Sequence, residues 1–525
     1  ALRPHSLPPA ESGPQALELG GTPGEMVVGA IGLWTPRPLD GLRFSIEPGD
    51  QATAALDETP EVQRVVFLPR KTDYYGRGRT FHYVPDFFLA SDTFDCPAGE
   101  ASGLWLSYRI SDDAGLRPNT RWLLKVEGDG FEASLPVNIR AYSFDLADLS
   151  DKTRHLYLDP SRWRNRSDEQ ALAEIADVRD HGYESVPLSS VGRVEVEDGN
   201  ITGFTLNDES LRIIRLAQEG GLEGPFGFWN GRFPGYVRAA LGLPEDVLSG
   251  YADTWPEEVF EGEVQALKML KEAVTAAGIE DPFIVAIDEP GYWKAGSPAH
   301  YAWDMRVAQE AGWDTYCTTS TAPPDPLGLH VTYHCYGGGQ MTNDPQAAAD
   351  ILAVTHAHGQ QCWYYCTGSY SGQVGNMLRN RYLAGFMFFR SGWDGTASWT
   401  FQRYRGDAFD DFQIDDAGKE RTGQACITYP DPRADAATAT GNLDTPQWEA
   451  LRQSWYDHRY AATLQQAIDD ARQRDPAAAE AAQQRIDALM AALPWNGAAF
   501  AYEGFRNSAL DETRAAIAEE IMKLR

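Results

Sequence analysis

A chain of 525 residues is longer than one ordinary domain needs, so two or three domains with sizeable cores are expected. Its 45 Lys+Arg against 76 Asp+Glu give a formal net charge of -31, which repels phosphate backbones and anionic lipid and argues against nucleic-acid and membrane partners. No apolar run approaches the ~20 residues that a membrane-crossing helix needs.

The opening ALRPHSLPPAESGP lacks the basic-then-apolar layout of a signal peptide. An N-terminus already processed would read the same, so the compartment stays open, as does homo-oligomerisation. Cys96, Cys317, Cys335, Cys362, Cys366 and Cys426 form no CxxC pair and read as small buried hydrophobes. The 15 Trp and 23 Tyr supply flat amphipathic rings that suit sugar stacking and large cores equally.

Residues 1–148 read as β structure: LRFSIEP, QRVVFLP, LWLSYRI and RWLLKVEG recur between Gly, Pro and Asp-Asp breaks, the spacing of a β-sandwich. From 149 to 442 strand-like runs alternate with helical ones. RHLYLDP precedes a helix over Glu169 to Arg179, YESVPLSS one over Glu209 to Glu219, and PFGFWNG one around Val264 to Ala277. FIVAIDEP, a helix around Tyr301 to Ala311, and the strands DTYCTTS, LHVTYHCY, QCWYYCTG and AGFMFFRS follow. Roughly eight strands in about 280 residues predict a (β/α)8 TIM-like barrel. A doubly wound sheet is the alternative, but no glycine-rich phosphate loop follows an early strand. From 443 to 525 the pattern is helical, with Thr445-Pro446 and Asp475-Pro476 as caps and Ser508 before a final amphipathic segment.

The most informative stretch is FIVAIDEPG, Phe283 to Gly291, in which five apolar residues run into Asp288 and Glu289 before a Pro-Gly stop. The acids fall at the carboxyl end of a buried strand, where barrels of this class build active sites; a helix cap or buried ion pair is the structural alternative. Glycoside hydrolysis ordinarily uses two carboxyl groups facing each other across the sugar. Side chains of sequence neighbours diverge from a strand instead. That suits a substrate bearing a 2-acetamido group: its carbonyl oxygen attacks the anomeric carbon, Glu289 serves as general acid then base, and Asp288 orients the amide N–H.

The Asp-Glu pair, QCWYYC, RNRYLAGFMFFRSGWDG, and CITYPDP followed by WEALRQSWYDHRYAATL resemble glycoside hydrolase family 123, the β-N-acetylgalactosaminidases, and its relatives. LWLSYRISDDAG and NIRAYSFDL are similar to the sandwich domain that leads into that family's catalytic barrel. The resemblance assigns the stabilising role to Asp288 and the acid/base role to Glu289. Arg390 after Phe388-Phe389 and the spacing of Gly392, Trp393 and Asp394 depart from the family, which leaves the sugar open.

Further candidates for substrate binding are Trp229 and Asn230 at a strand end, His334, Trp363 and Tyr365 on one strand face, Arg390, Trp393 and Asp394. Each also has a structural reading as core or internal ion pair. THAHGQQC matches no common zinc spacing, YGGG lacks the following Lys-Ser or Lys-Thr of a phosphate loop, and no GxSxG is present. The expectation is a retaining exo-glycosidase on terminal β-linked N-acetylhexosamine, GalNAc first, working through an oxazoline on a glycan substrate without metal or organic cofactor. Two rivals stay open: a glycosidase on sugars without the acetamido group that uses Asp394 as a second carboxylate, and an inactive carbohydrate-binding protein.

Overall fold

The computed structural model describes residues 16–54, 56, 58–71, 81–112, 119–188, 192–229, 233–287, 297–319, 328–337, 344–366, 376–404, 406–410, 412, 425–431, 440–495 and 507–525. Among the described residues the N-terminal part holds nine strands: β1 (Leu17–Gly21), β2 (Met26–Trp34), β3 (Leu39–Pro48), β4 (Glu61–Lys71), β5 (Phe81–Leu89), β6 (Thr93–Cys96), β7 (Ala101–Arg109), β8 (Asn119–Gly128) and β9 (Phe131–Ala141). They form a sheet ordered β1-β9-β8-β3-β6 and another ordered β2-β7-β4-β5. Trp122, Leu124 and Val126 of β8 alternate inward and meet Leu104, Leu106 and Tyr108 of β7 in one apolar cluster, so both sheets contribute to a shared core.

The middle of the chain is a curled, wholly parallel sheet. Its strands are β10 (Thr153–Leu156), β13 (Phe226–Trp229), β14 (Pro282–Ile287), β15 (Asp314–Thr319), β16 (Tyr333–Tyr336), β17 (Gln361–Tyr365) and β18 (Gly395–Ser398). Between β10 and β13 lies a separate hairpin, β11 (Gly192–Glu197) with β12 (Asn200–Leu206). Asp198 and Gly199 take φ of 51° and 79° at its two-residue turn, the left-handed geometry such turns require. The sheet runs β10-β18-β17-β16-β15-β14-β13. Its two edge strands are linked through the segment 185–187: Ser185 bridges His155 of β10, and Pro187 bridges Gly227 of β13.

Helices Asp168–Asp180, Asp208–Glu219, Glu257–Ala276 and Ser297–Glu310 fall near the predicted positions, and a further helix, Pro345–Ala357, lies between β16 and β17. The first is started by a reciprocal cap between Ser167 and Gln170. Two expected strands are not strands: the described part of YESVPLSS makes only isolated bridges, at Ser185 and Pro187. AGFMFFRS instead spans the end of the helix Asn376–Ala384 and the helix Phe386–Ser391, and the seventh strand is the following GTAS. Phe386, Met387 and Phe388 are all buried, so neither strand nor helix periodicity was available to choose between them.

The helices Pro446–Arg474, Pro476–Ala492 and Asn507–Leu524 close the chain. Thr445 and Asp475 cap the first two, each accepting from a backbone N–H, with proline in the first turn. The long helix Pro446–Arg474 joins both halves: Tyr456 receives the Met26 N–H of β2, while Arg381 from the helix Asn376–Ala384 pairs with its Asp457 at 2.8 Å. All six cysteines are buried free thiols. No described helix is long and apolar enough to cross a membrane.

Candidate active site

Strand direction places the carboxyl ends of β10, β13 and β18 around one cleft of about 710 Å³. Tyr157 follows β10, Trp229 ends β13 and Trp399 follows β18, and all three line it. Tyr157 is central. Its ring lies 5.2 Å from Trp399 and 6.3 Å from Trp229, centroid to centroid. Its hydroxyl is 2.6 Å from that of Tyr316 and 3.1 Å from that of Tyr365. Its carbonyl accepts from Phe401 N at 2.9 Å and Thr400 Oγ1 at 2.5 Å, which ties the end of β10 to the residues after β18. Trp229 is 42 % exposed, so an indole face is available to a ligand.

Beneath the cleft the interior of the sheet is packed with Phe283, Tyr316, Tyr333, Cys335 and Trp363. His155 sits in this layer. Ser185 Oγ donates to Pro225 O, so the 2.7 Å contact between His155 Nδ1 and Ser185 Oγ makes Nδ1 the protonated nitrogen. Burial holds the imidazole neutral, with its pKa lowered to about 3. Burial likewise raises the Tyr316 phenol well above its ordinary range, so the hydroxyl next to Tyr157 stays protonated. The floor is thus uncharged.

The rim carries charge. Arg403 lies over the Trp399 ring at 5.0 Å, and Arg164 pairs with Glu209 at 2.7 Å. Asp159 accepts from Ser161 N as the cap of the short helix Pro160–Asn165. Behind the rim Arg162 holds Gln402 at 3.0 Å and pairs with the buried Glu174, also at 3.0 Å.

Asp288 and Glu289 lie outside the described residues, as does Asn230. What is described is the strand before the acids: Phe283 and Val285 face the interior cluster, and Ile287 is the last residue of β14. Of the other candidates, Trp229 lines the cleft, and Tyr365 lies behind Tyr157, bonding its hydroxyl and stacking on its ring. The rest are elsewhere. Trp363 is fully buried against Tyr333, ring centroids 4.8 Å apart, and its indole N–H donates to Gln361. His334 is buried with Nε2 3.0 Å from Gln360 Oε1. Trp393 is buried, and its indole donates to Ala348 O. Arg390 donates to Tyr382 Oη and Leu493 O, whereas Asp394 accepts from Cys362 N and His356 Nε2, each at 2.8 Å. The two therefore neither pair with each other nor line the cleft: Arg390 is on a helix, and Asp394 precedes β18, at the end of the sheet opposite the mouth.

Sequence reasoning passed over Tyr157, Trp399 and Tyr236. The strand-end argument that selected Asp288 applies equally to Tyr157 and Asp159, which follow β10 within RHLYLDP. Trp399 gave no such signal, because GTAS is four residues long with Thr396 as its one β-branched residue, too little to read as a strand. A separate cavity of about 730 Å³ lies between β2, β7 and the C-terminal helices, near Arg381 and Arg514, remote from the strand ends. Among the described residues no group of three or more His, Cys, Asp or Glu could hold a metal ion.

No protein-family model and no curated protein matches the chain. Among solved structures, a family 123 glycoside hydrolase from Clostridium perfringens, described for glycolipid glycan hydrolysis, superposes with a TM-score of 0.69 over 97 % of this chain and 94 % of its own. The chain has the fold of a family 123 glycoside hydrolase. At 10 % identity the likeness is one of fold, and it meets the resemblance read from the sequence motifs. A GH10 xylanase from termite gut with a bacterial Ig-like domain aligns at a TM-score of 0.34 and 10 % identity, covering 85 % of this chain and 100 % of its own. The endo-β-1,4-mannanase of Thermotoga petrophila aligns at 0.31 and 12 % identity, covering 58 % and 75 %. Scores that low say nothing of this fold.

Proposed function

We propose that the protein is a glycoside hydrolase acting on terminal β-linked N-acetylhexosamine, GalNAc first, with Asp288 and Glu289 as its catalytic acids. The observation that carries this reading is the aromatic cleft at the carboxyl ends of β10, β13 and β18, in the same parallel sheet whose β14 ends one residue before Asp288. Trp229, which is exposed, and Trp399, which is partly buried, offer ring surface to the C–H side of a pyranose above the buried Tyr157. The fold of the Clostridium perfringens enzyme lends its chemistry as analogy. The parallel sheet closed through residues 185–187 supports the (β/α)8 barrel reading, and the core shared by the two N-terminal sheets supports a β-sandwich.

Glu289 protonates the leaving oxygen and later deprotonates water; Asp288 holds the acetamido N–H so that the substrate's own carbonyl oxygen closes an oxazoline. The product retains the β configuration, since two inversions at one carbon restore it. The cleft-lining carboxylates among the described residues support substrate assistance over a protein nucleophile: Asp159 is engaged as a helix cap and Glu209 with Arg164. Asp394, the second carboxylate of the rival reading, is bound to Cys362 N away from the cleft.

A panel of aryl β-glycosides with and without the 2-acetamido group tests the assignment. Hydrolysis confined to the acetamido sugars, with strong inhibition by the matching thiazoline, is the expected result. Equal turnover of the 2-hydroxy glycosides, or an α product seen first by NMR, removes substrate assistance.

A further inference from the structure

We propose that the outer half of the cleft is a binding subsite for a second, uncharged sugar residue, the one on the leaving-group side, with Tyr236 as its platform and the Arg164–Glu209 pair as its hydroxyl partners. The proposal rests on the glycosidase reading and specifies what the enzyme holds beyond the sugar it cleaves.

The cleft does not end at the strand tips. It continues from Tyr157, Trp399 and Trp229 outward to the helix Phe233–Ala240 and to Arg164 and Glu209. At about 710 Å³ it falls in the range that holds a drug-sized ligand, more than one pyranose needs. The helix is fixed by Phe233, which stacks on Phe204 at 5.7 Å, and by buried Val237. Tyr236, between them, turns outward with 48 % of its surface exposed. An exposed ring on an anchored helix beside a cleft is a rigid apolar platform with a polar edge.

Glu209 stands in the first turn of the helix Asp208–Glu219, and Arg164 reaches it from the short helix Pro160–Asn165. An exposed pair of this kind adds little to folding. Its guanidinium fork presents further N–H donors and its carboxylate further acceptor positions, the complement of neighbouring hydroxyls that each donate and accept. Among the described residues, the cleft-lining carboxylates of Asp159 and Glu209 are offset by the guanidinium groups of Arg164 and Arg403, so this outer part of the lining suits a neutral ligand.

The test is calorimetric titration of the full chain with N-acetylhexosamine and with its β-linked disaccharide carrying sulfur in place of the glycosidic oxygen, in wild type, Tyr236→Ala and Arg164→Ala. The disaccharide should bind at least about tenfold more tightly than the monosaccharide to wild type, and each variant should erase most of that advantage. Circular dichroism confirms that the variants fold, and Tyr236→Phe, which keeps the ring, should retain the advantage. Equal affinity for the two ligands in wild type, or equal losses on both in the variants, would overturn the subsite. Disaccharide-selective binding by a protein that hydrolyses no aryl glycoside keeps the subsite and sinks the hydrolase reading; no binding of either sugar sinks both.

Discussion

The imidazole of His181 lies face to face with the indole of Trp448, ring centroids 3.8 Å apart and 15° from parallel. This contact fastens the helix Pro446–Arg474 to the end of the helix Asp168–Asp180. Trp448 Nε1 donates to Asp177 Oδ2 at 2.9 Å, and His181 Nδ1 donates to Asp177 O at 2.7 Å. Burial and Arg452 both disfavour a charged His181, but Asp177 and Glu449 outweigh them and lift its pKa from 6.5 to about 9. The ring is therefore a buried cation on an aromatic face.

Stability should fall as the solution is made alkaline. A histidine whose folded pKa is raised contributes fully below pH 6.5, and the contribution is lost as pH rises through about 9. Asp444 has the same sign: burial first, then Asp177 and Glu449, push its carboxyl up to about 8, so its bound proton is also lost over that range. Thermal melts from pH 6.5 to 9.5 should show the decline, and His181→Gln should start lower and decline less. An equally steep decline in the variant would remove His181 from this role.

Asp394 is a structural residue in this fold. Asp394→Ala should cost about 1.5 to 3 kcal/mol through loss of its charge-assisted hydrogen bond from Cys362 N, while kcat/KM on an aryl β-N-acetylhexosaminide changes by no more than about threefold. A large kcat loss without a change in Tm would restore it as a nucleophile.

Asp457 sits between two guanidinium groups, 2.8 Å from Arg381 and 2.6 Å from Arg514. Arg514 continues to the buried Glu25 beside β2, at 3.1 Å, so the network joins the N-terminal sheets to the C-terminal helices. Asp457→Ala leaves both arginines buried without this partner and should destabilise by about 3 to 5 kcal/mol in urea unfolding. An effect below ~1 kcal/mol would show that the charges find water.

If the proposed mechanism holds, Glu289→Gln lowers activity on a natural disaccharide by on the order of 10²-fold or more, and less on aryl glycosides with acidic leaving groups. Asp288→Asn should cost roughly 3 to 4 kcal/mol of transition-state stabilisation and weaken thiazoline binding in parallel. Steady-state kinetics on both substrate types separates the roles, since equal losses from Glu289→Gln would deny it proton transfer.

Local rules carried far in this chain. Proline after Thr445 and Asp475 located two helix starts because a cap needs only its own turn. The apolar run before Asp288 and the aromatic strand QCWYYC were legible because β-branched or aromatic content and bounding breaks are read within a few residues. Tertiary packing decided the rest. Phe386, Met387 and Phe388 are all buried, so their sequence does not say that the segment winds into a helix against Pro446–Arg474; Gly385 permits that helix to sit close, since a Cβ there would fall 2.9 Å from Ser454 O. The place in the sheet between β10 and β17 went instead to GTAS, where a Cβ on Gly395 would lie 2.6 Å from the Trp363 ring, so glycine answers a neighbour 32 positions away. The cleft itself gathers Tyr157, Trp229 and Trp399 from three distant strand ends, a meeting fixed by sheet order and curl, quantities that no local window of sequence contains.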